Sequence, residues 1–227
     1  KNVTKNILIW LCLLIGLSFV FFLLPVDHTF SVIFFEKIKN DLLPSGVQLM
    51  VTNPLSAFLA QMSISLLLAF VVILPFSLYG TMKYVFPALF DKEKKVVIWT
   101  LFLSVILFFT GCLFAYLLLI PLTFRVLYSY TTIIGATAFF SVEEFVSSVF
   151  GLMIATGVMF LLPIFMALLN FLGVVNKDFW RDKWRYALMF FLMFSAIITP
   201  DGTGITMVML VVPLSILYGL GMIISKN

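Results

Sequence analysis

Long apolar runs alternate with short polar stretches along this chain, and that alternation predicts its architecture. Six runs cover residues 7–24, 55–79, 96–120, 145–172, 186–199 and 205–224. A backbone crossing lipid has to satisfy its own hydrogen bonds, so each run predicts a helix. About 20 residues cross a hydrocarbon core of about 30 Å. The expected fold class is all-α: a polytopic membrane protein with six transmembrane helices. The run 186–199 gives only about 21 Å of helix, and Pro200-Asp-Gly-Thr-Gly204 joins it tightly to the last run. The last two spans are therefore expected to be short, with a thinned bilayer at their outer end. Pro75, Pro163 and Pro213 lie inside runs. Each removes a helix hydrogen bond and favours a bend, so the bundle is expected to be cupped.

The polar stretches add detail. Residues 29–43 predict a short helix lying on the membrane surface, with Phe30, Ile33, Phe34 and Ile38 on one face. Ser141-Val-Glu-Glu144 has capping-box spacing and should start the fourth span. The run 7–24 is followed by Pro25-Val-Asp27 and no small-residue cleavage pattern, so it reads as a retained span. The first residue is Lys, and the native start is expected upstream.

Charge sets direction. The two termini and the second and fourth connections hold eleven Lys and Arg; the first, third and fifth hold three. Basic residues favour the cytoplasmic side, which predicts both termini inside. Asp27, Glu36, Asp41, Glu143, Glu144 and Asp201 then fall on the outer side.

Composition narrows function. The chain of 227 residues is 63% apolar and 11% charged, with 27 Phe. A soluble domain cannot hide so much apolar surface. Cys12 and Cys112 lie in apolar runs and read as small buried hydrophobes; the single histidine, His28, is in a connection. Neither a metal site nor a cofactor is expected. Hydroxyls such as Ser63, Ser65, Ser104 and Ser195 have no acid, His or Lys beside them, so catalysis is not expected. The runs also lack the buried acids and arginines of proton relays and ion paths. A recognition surface remains as the functional reading.

The second connection, Phe86-Pro-Ala-Leu-Phe-Asp-Lys-Glu-Lys-Lys95, offers one. Its plain reading is a solvated loop with topogenic lysines. Topology alone asks only for Lys, however, and this stretch also holds Asp91 and Glu93. A carboxylate there can accept a guanidinium in a two-pronged hydrogen bond that lysine cannot reproduce.

These residues resemble the first cytoplasmic loop of the TatC family, the multi-spanning receptor of the twin-arginine translocase. "FVVILPFSLYGTMKYVFPALF" is similar to the family's second span and its exit, "GCLFAYLLLIPLTFRVL" to the end of its third, and "TPDGTGITMVMLVVPLSILYGLG" to its last hairpin. The resemblance covers nearly all of the chain and implies one integral membrane domain over residues 1–227. It implies binding of twin-arginine signal peptides of folded cargo at the cytoplasmic face of the inner membrane. It further implies assembly with single-span TatA- and TatB-type subunits and with other TatC copies among membrane lipids, no nucleic acid being involved, and export driven by the proton-motive force. Glu93 stands at the position of the family's signal-binding glutamate. Tyr84 stands where the family has an aromatic, usually Phe, and Pro87 and Leu89 shape the same edge. Asp201 matches the outer-hairpin aspartate, while a turn role in Pro-Asp-Gly stays open. Pro75 and Pro163 are carried over as structural positions of the spans.

The chain also departs from the pattern. The family's N-terminal His-Leu and Glu-Leu-Arg elements are absent from residues 1–227 and are expected upstream. Leu161 replaces an intramembrane Glu two residues before Pro163. Ile205 and Gly80 stand in place of Gln, and Gly219 in place of Glu. These replacements point to a divergent member whose intramembrane polar network differs. The rival readings are a small-solute transporter or channel-like protein, and a TatC relative without signal binding.

Overall fold

The computed structural model describes residues 2–23, 30–43, 48–51, 53–85, 91–135, 139–171, 173, 175–176, 178–199 and 204–224. Each apolar run is a helix or a pair of helices. Among the described residues, four helical stretches are long and apolar enough to cross a membrane by length and composition: Pro54–Leu74, Ile98–Thr131, Val142–Phe171 and Ile205–Ile223. Ile9–Phe22 and Trp184–Ile198 are shorter apolar helices among the described residues. The chain divides into two compact units, Lys1–Val105 with Ala138–Phe150, and Ile106–Thr137 with Gly151–Asn227.

In the first unit, α1 (Asn2–Leu23) packs against α3 (Pro54–Val85). Phe22, near the end of α1, sets its ring edge-on to Phe58, near the start of α3, at 5.4 Å. The two helices therefore run antiparallel. Helix α2 (Phe30–Leu42) packs on α3. Ile38 and Leu42 are buried and Phe34 is half-buried, a stripe at spacing i, i+4, i+8. Ile33, expected on that face, is 53% exposed, because it sits a quarter-turn off the stripe. The Phe30 side chain lies outside the described residues.

Two strands were not predicted. β1 (Gln48–Met50) pairs in parallel with β2 (Phe139–Ser141), Gln48 opposite Phe139 and Met50 opposite Ser141. The pairing satisfies backbone groups in two connections and brings the start of α6 (Val142–Phe160) beside β1. Helix α6 begins directly after Ser141, with Glu143 and Glu144 in its first turn, where acids suit the helix dipole.

The third run was expected to end near residue 120. Instead α4 (Asp91–Phe114) passes through a π-helical turn, Ala115–Leu119, into α5 (Ile120–Ile134). Pro121 explains the turn: it has no N–H for the carbonyl four residues back, so the chain widens just before it. The Ile120 N–H bonds to the Ala115 carbonyl, five residues back. Arg125, expected in a connection, is thus on a helix, exposed.

In the second unit, α4 and α6 approach closely at Gly111 and Gly157. A Cβ on Gly111 would lie 2.9 Å from the Gly157 Cα and 2.8 Å from the Phe160 ring. The Cys112 thiol donates to the Met153 carbonyl at 3.5 Å. Cys112 is buried as expected, whereas Cys12 is exposed on α1. Helix α7 (Leu162–Phe171) follows α6, then α8 (Phe179–Asp182), α9 (Trp184–Ile198) and α10 (Ile205–Ile224). Helix α10 packs on α7 and α9. It keeps 20 residues and runs unbroken through Pro213, so only α9, with 15, is short.

Apolar side chains face outward throughout: Ile133 and Ile197 are each 77% exposed, and Met189 is 69% exposed. Water would not tolerate such a surface. Lipid is its solvent.

Candidate functional site

The charged stretch after the second apolar run is helical, not a loop. Asp91, Lys92, Glu93, Lys94 and Lys95 open α4. Helix N-termini carry partial positive charge, so two acids at the first and third positions favour helix formation from that point. Helix α3 likewise continues past Pro75 and past Lys83, and ends at Val85. Tyr84 is its penultimate residue. Tyr84 and Glu93 thus sit on two helix ends of one unit, joined by residues 86–90. Pro87 and Leu89 fall in that link, outside the described residues. So do the side-chain surroundings of Pro75, Tyr84 and Glu93.

Further along α4, Trp99 is exposed and meets Phe102 edge-on at 6.3 Å. Exposed Trp at the start of an apolar helix marks the headgroup level. Glu93 precedes it by six residues, about 9 Å of helix toward water.

Pro163 belongs to the second unit. It is buried at the second position of α7, and the helix is interrupted just before it, at Leu161. The Leu161 N–H turns back to the Val158 carbonyl at 3.1 Å, a tighter three-residue step. A Cβ on Gly221 of α10 would meet the Pro163 Cα at 3.1 Å and the Met166 sulfur at 2.7 Å. Leu161 itself is half-buried and apolar. Asp201 lies outside the described residues.

Besides the hydroxyls of Tyr128 and Tyr218, the buried polar side chains among the described residues are all Ser or Thr. Most hydroxyls donate back to their own helix, as Ser65 does to Gln61 and Thr123 to Leu119. Thr156 and Ser195 are 1% and 0% exposed, and their hydroxyl oxygens have no hydrogen-bond partner among the described residues. The same residues contain no cluster of three metal-ligating side chains.

Sequence reasoning missed a cluster at the ends of the last helices. The Tyr218 hydroxyl donates to the Trp180 carbonyl at 2.7 Å, and the Trp180 indole N–H donates to the Asn170 Oδ1 at 3.1 Å. Amphipathic aromatics at the ends of apolar runs are the signal that would have found it.

With this geometry in place, known proteins give a consistent match. The family model described as Sec-independent protein translocase protein (TatC) covers residues 3–213. The Sec-independent protein translocase protein TatC of Cenarchaeum symbiosum is 35% identical over 200 residues, 88% of this chain and 76% of that protein. Its counterpart in Aquifex aeolicus is 32% identical over 196 residues, 85% of this chain and 80% of that protein. A crystal structure of the twin arginine translocase receptor TatC superposes with a TM-score of 0.82 at 28% identity, over 99% of this chain and 96% of that one.

Proposed function

The chain belongs to the TatC family of Sec-independent protein translocase proteins, and from that premise we propose that it binds twin-arginine signal peptides through Glu93. It is a membrane-embedded component of protein transport and not an enzyme. In this reading all six apolar helices span the inner membrane and both termini are cytoplasmic, as the bias of Lys and Arg supports. The ends of α3 and α4 then face the cytoplasm. Glu93 accepts a cargo arginine, Tyr84 packs against the signal, and Pro87 and Leu89 shape the edge between them. Asp201 closes the outer hairpin, and Pro75 and Pro163 set the course of their spans. TatA- and TatB-type subunits and further copies of this chain complete the translocase, which uses the proton-motive force and no cofactor.

The observation that carries the reading is the position of Glu93 in the first turn of α4, across a five-residue link from the end of α3. The dipole of α4 favours a carboxylate there. The rival transporter reading needs polar groups along a path, and the buried polar residues described are Ser and Thr hydroxyls with no charged group among them. A photoreactive residue at position 94 tests the proposal. It should crosslink to a twin-arginine signal peptide, and excess unlabelled peptide should abolish the product. A crosslink of equal yield with a twin-lysine peptide, or none at all, would count against it.

A further inference from the structure

A groove of about 780 Å³ opens beside the end of α10. One wall is apolar: Ile216, Gly219, Leu220 and Ile223, at spacing i, i+3, i+4, i+7 on one helix face. Asp178 and Arg181, on and just before α8, form the polar part of its lining. Both are exposed, and neither makes an ion pair among the described residues.

The groove's depth follows from its wall. The apolar stretch of α10 ends at Ile223, so the groove lies at the end of the span, where hydrocarbon gives way to headgroups. Trp180, half-buried on α8, borders the same region. The hydrogen bond from the Tyr218 hydroxyl to the Trp180 carbonyl fixes α8 against α10, which holds Asp178 and Arg181 at a set place beside the apolar wall. A Cβ on Gly219 would meet no heavy atom within 4 Å, so the wall has open space at the glycine.

We propose that this groove holds one phospholipid with a phosphoethanolamine headgroup. The phosphate takes the Arg181 guanidinium, whose flat fork matches two of its oxygens. The ammonium donates to the Asp178 carboxylate. One acyl chain follows Ile216, Gly219 and Leu220 into the hydrocarbon. A phosphoglycerol headgroup offers Asp178 no cation, and a choline has no N–H to donate. A free phosphate would leave the apolar wall uncovered. The proposal rests on α10 being a span and is independent of signal binding.

The test uses the full chain purified in detergent, offered equal amounts of phosphatidylethanolamine, phosphatidylcholine and phosphatidylglycerol with identical acyl chains. Native mass spectrometry reads the retained lipid. Phosphatidylethanolamine should be retained over the other two by about two- to fivefold, the factor one partly exposed ion pair supplies. Asp178→Asn should bring it level with phosphatidylcholine. Arg181→Gln should lower all three. Gly219→Leu should also lower all three without lowering the thermal midpoint, because the new side chain enters open space. Equal retention, a preference for phosphatidylglycerol, no retained lipid, or an ethanolamine preference that survives Asp178→Asn overturns the proposal.

Discussion

The hydroxyl of Tyr218 donates a 2.7 Å hydrogen bond to the main-chain carbonyl of Trp180, 38 residues earlier in the chain. The same tyrosine ring meets the Trp180 and Phe191 rings edge-on, at 6.4 and 5.9 Å. Trp180 in turn reaches Asn170. One continuous set of contacts thus ties α7, α8, α9 and α10. Tyr218→Phe keeps the rings and removes only the bond, so it should cost about 1 kcal/mol. A thermal midpoint in detergent a few degrees lower is the expected result, and an unchanged one would show the bond to be idle.

The crossing of α4 and α6 leaves no room for a side chain at Gly157. A Cβ there would stand 2.8 Å from the Cys112 sulfur and 2.8 Å from the Phe108 ring. Gly157→Ala should therefore destabilise by about 1–3 kcal/mol, the usual range for overpacking. Gly151 lies on the same helix with nothing within 4 Å of its Cβ position. Gly151→Ala should stabilise by about 0.5–1 kcal/mol, since alanine loses less backbone freedom in a helix. Comparing the two variants' unfolding midpoints checks packing against helix propensity.

Helix α9 has 15 residues, about 22 Å of helix. A hydrocarbon core of about 30 Å exceeds that length. Lipid beside α9 should be thinner than lipid beside α10, which has 20 residues. Lipid-resolved maps of the protein in nanodiscs measure this directly, and uniform thickness around the protein would contradict it.

The Lys and Arg count predicts sidedness. A single cysteine placed at Lys94 in a Cys12→Ser, Cys112→Ser background should react with an impermeant maleimide only when the cytoplasmic face is open. One placed at Glu36 should react from the outside. The reverse pattern would invert the topology.

Much of this fold was legible because lipid imposes long uniform runs, and the run at 205–224 became α10 without adjustment. What escaped was local. The strands at Gln48–Met50 and Phe139–Ser141 have three residues each and pair across about ninety positions, too short and too distant for any periodicity. The π turn before Pro121 carries on a helix that was expected to end near residue 120. The stretch from Asp91 to Lys95 read as a loop because charge masked a good helix start. The site was partly legible: Glu93 stood out because topology asks for no acid there. The groove at Asp178 and Arg181 was not, since its two walls lie about forty residues apart in the chain.

The most direct measurement is the affinity of a twin-arginine signal peptide for the protein in nanodiscs, taken through a double-mutant cycle with Glu93→Gln and a twin-lysine peptide. Glu93→Gln should weaken the twin-arginine peptide about tenfold, the lower end for losing hydrogen bonds between charged groups, and should leave the already weak twin-lysine peptide nearly unchanged. Equal affinity of wild type and Glu93→Gln for the twin-arginine peptide would contradict the assignment of Glu93 as the arginine's partner.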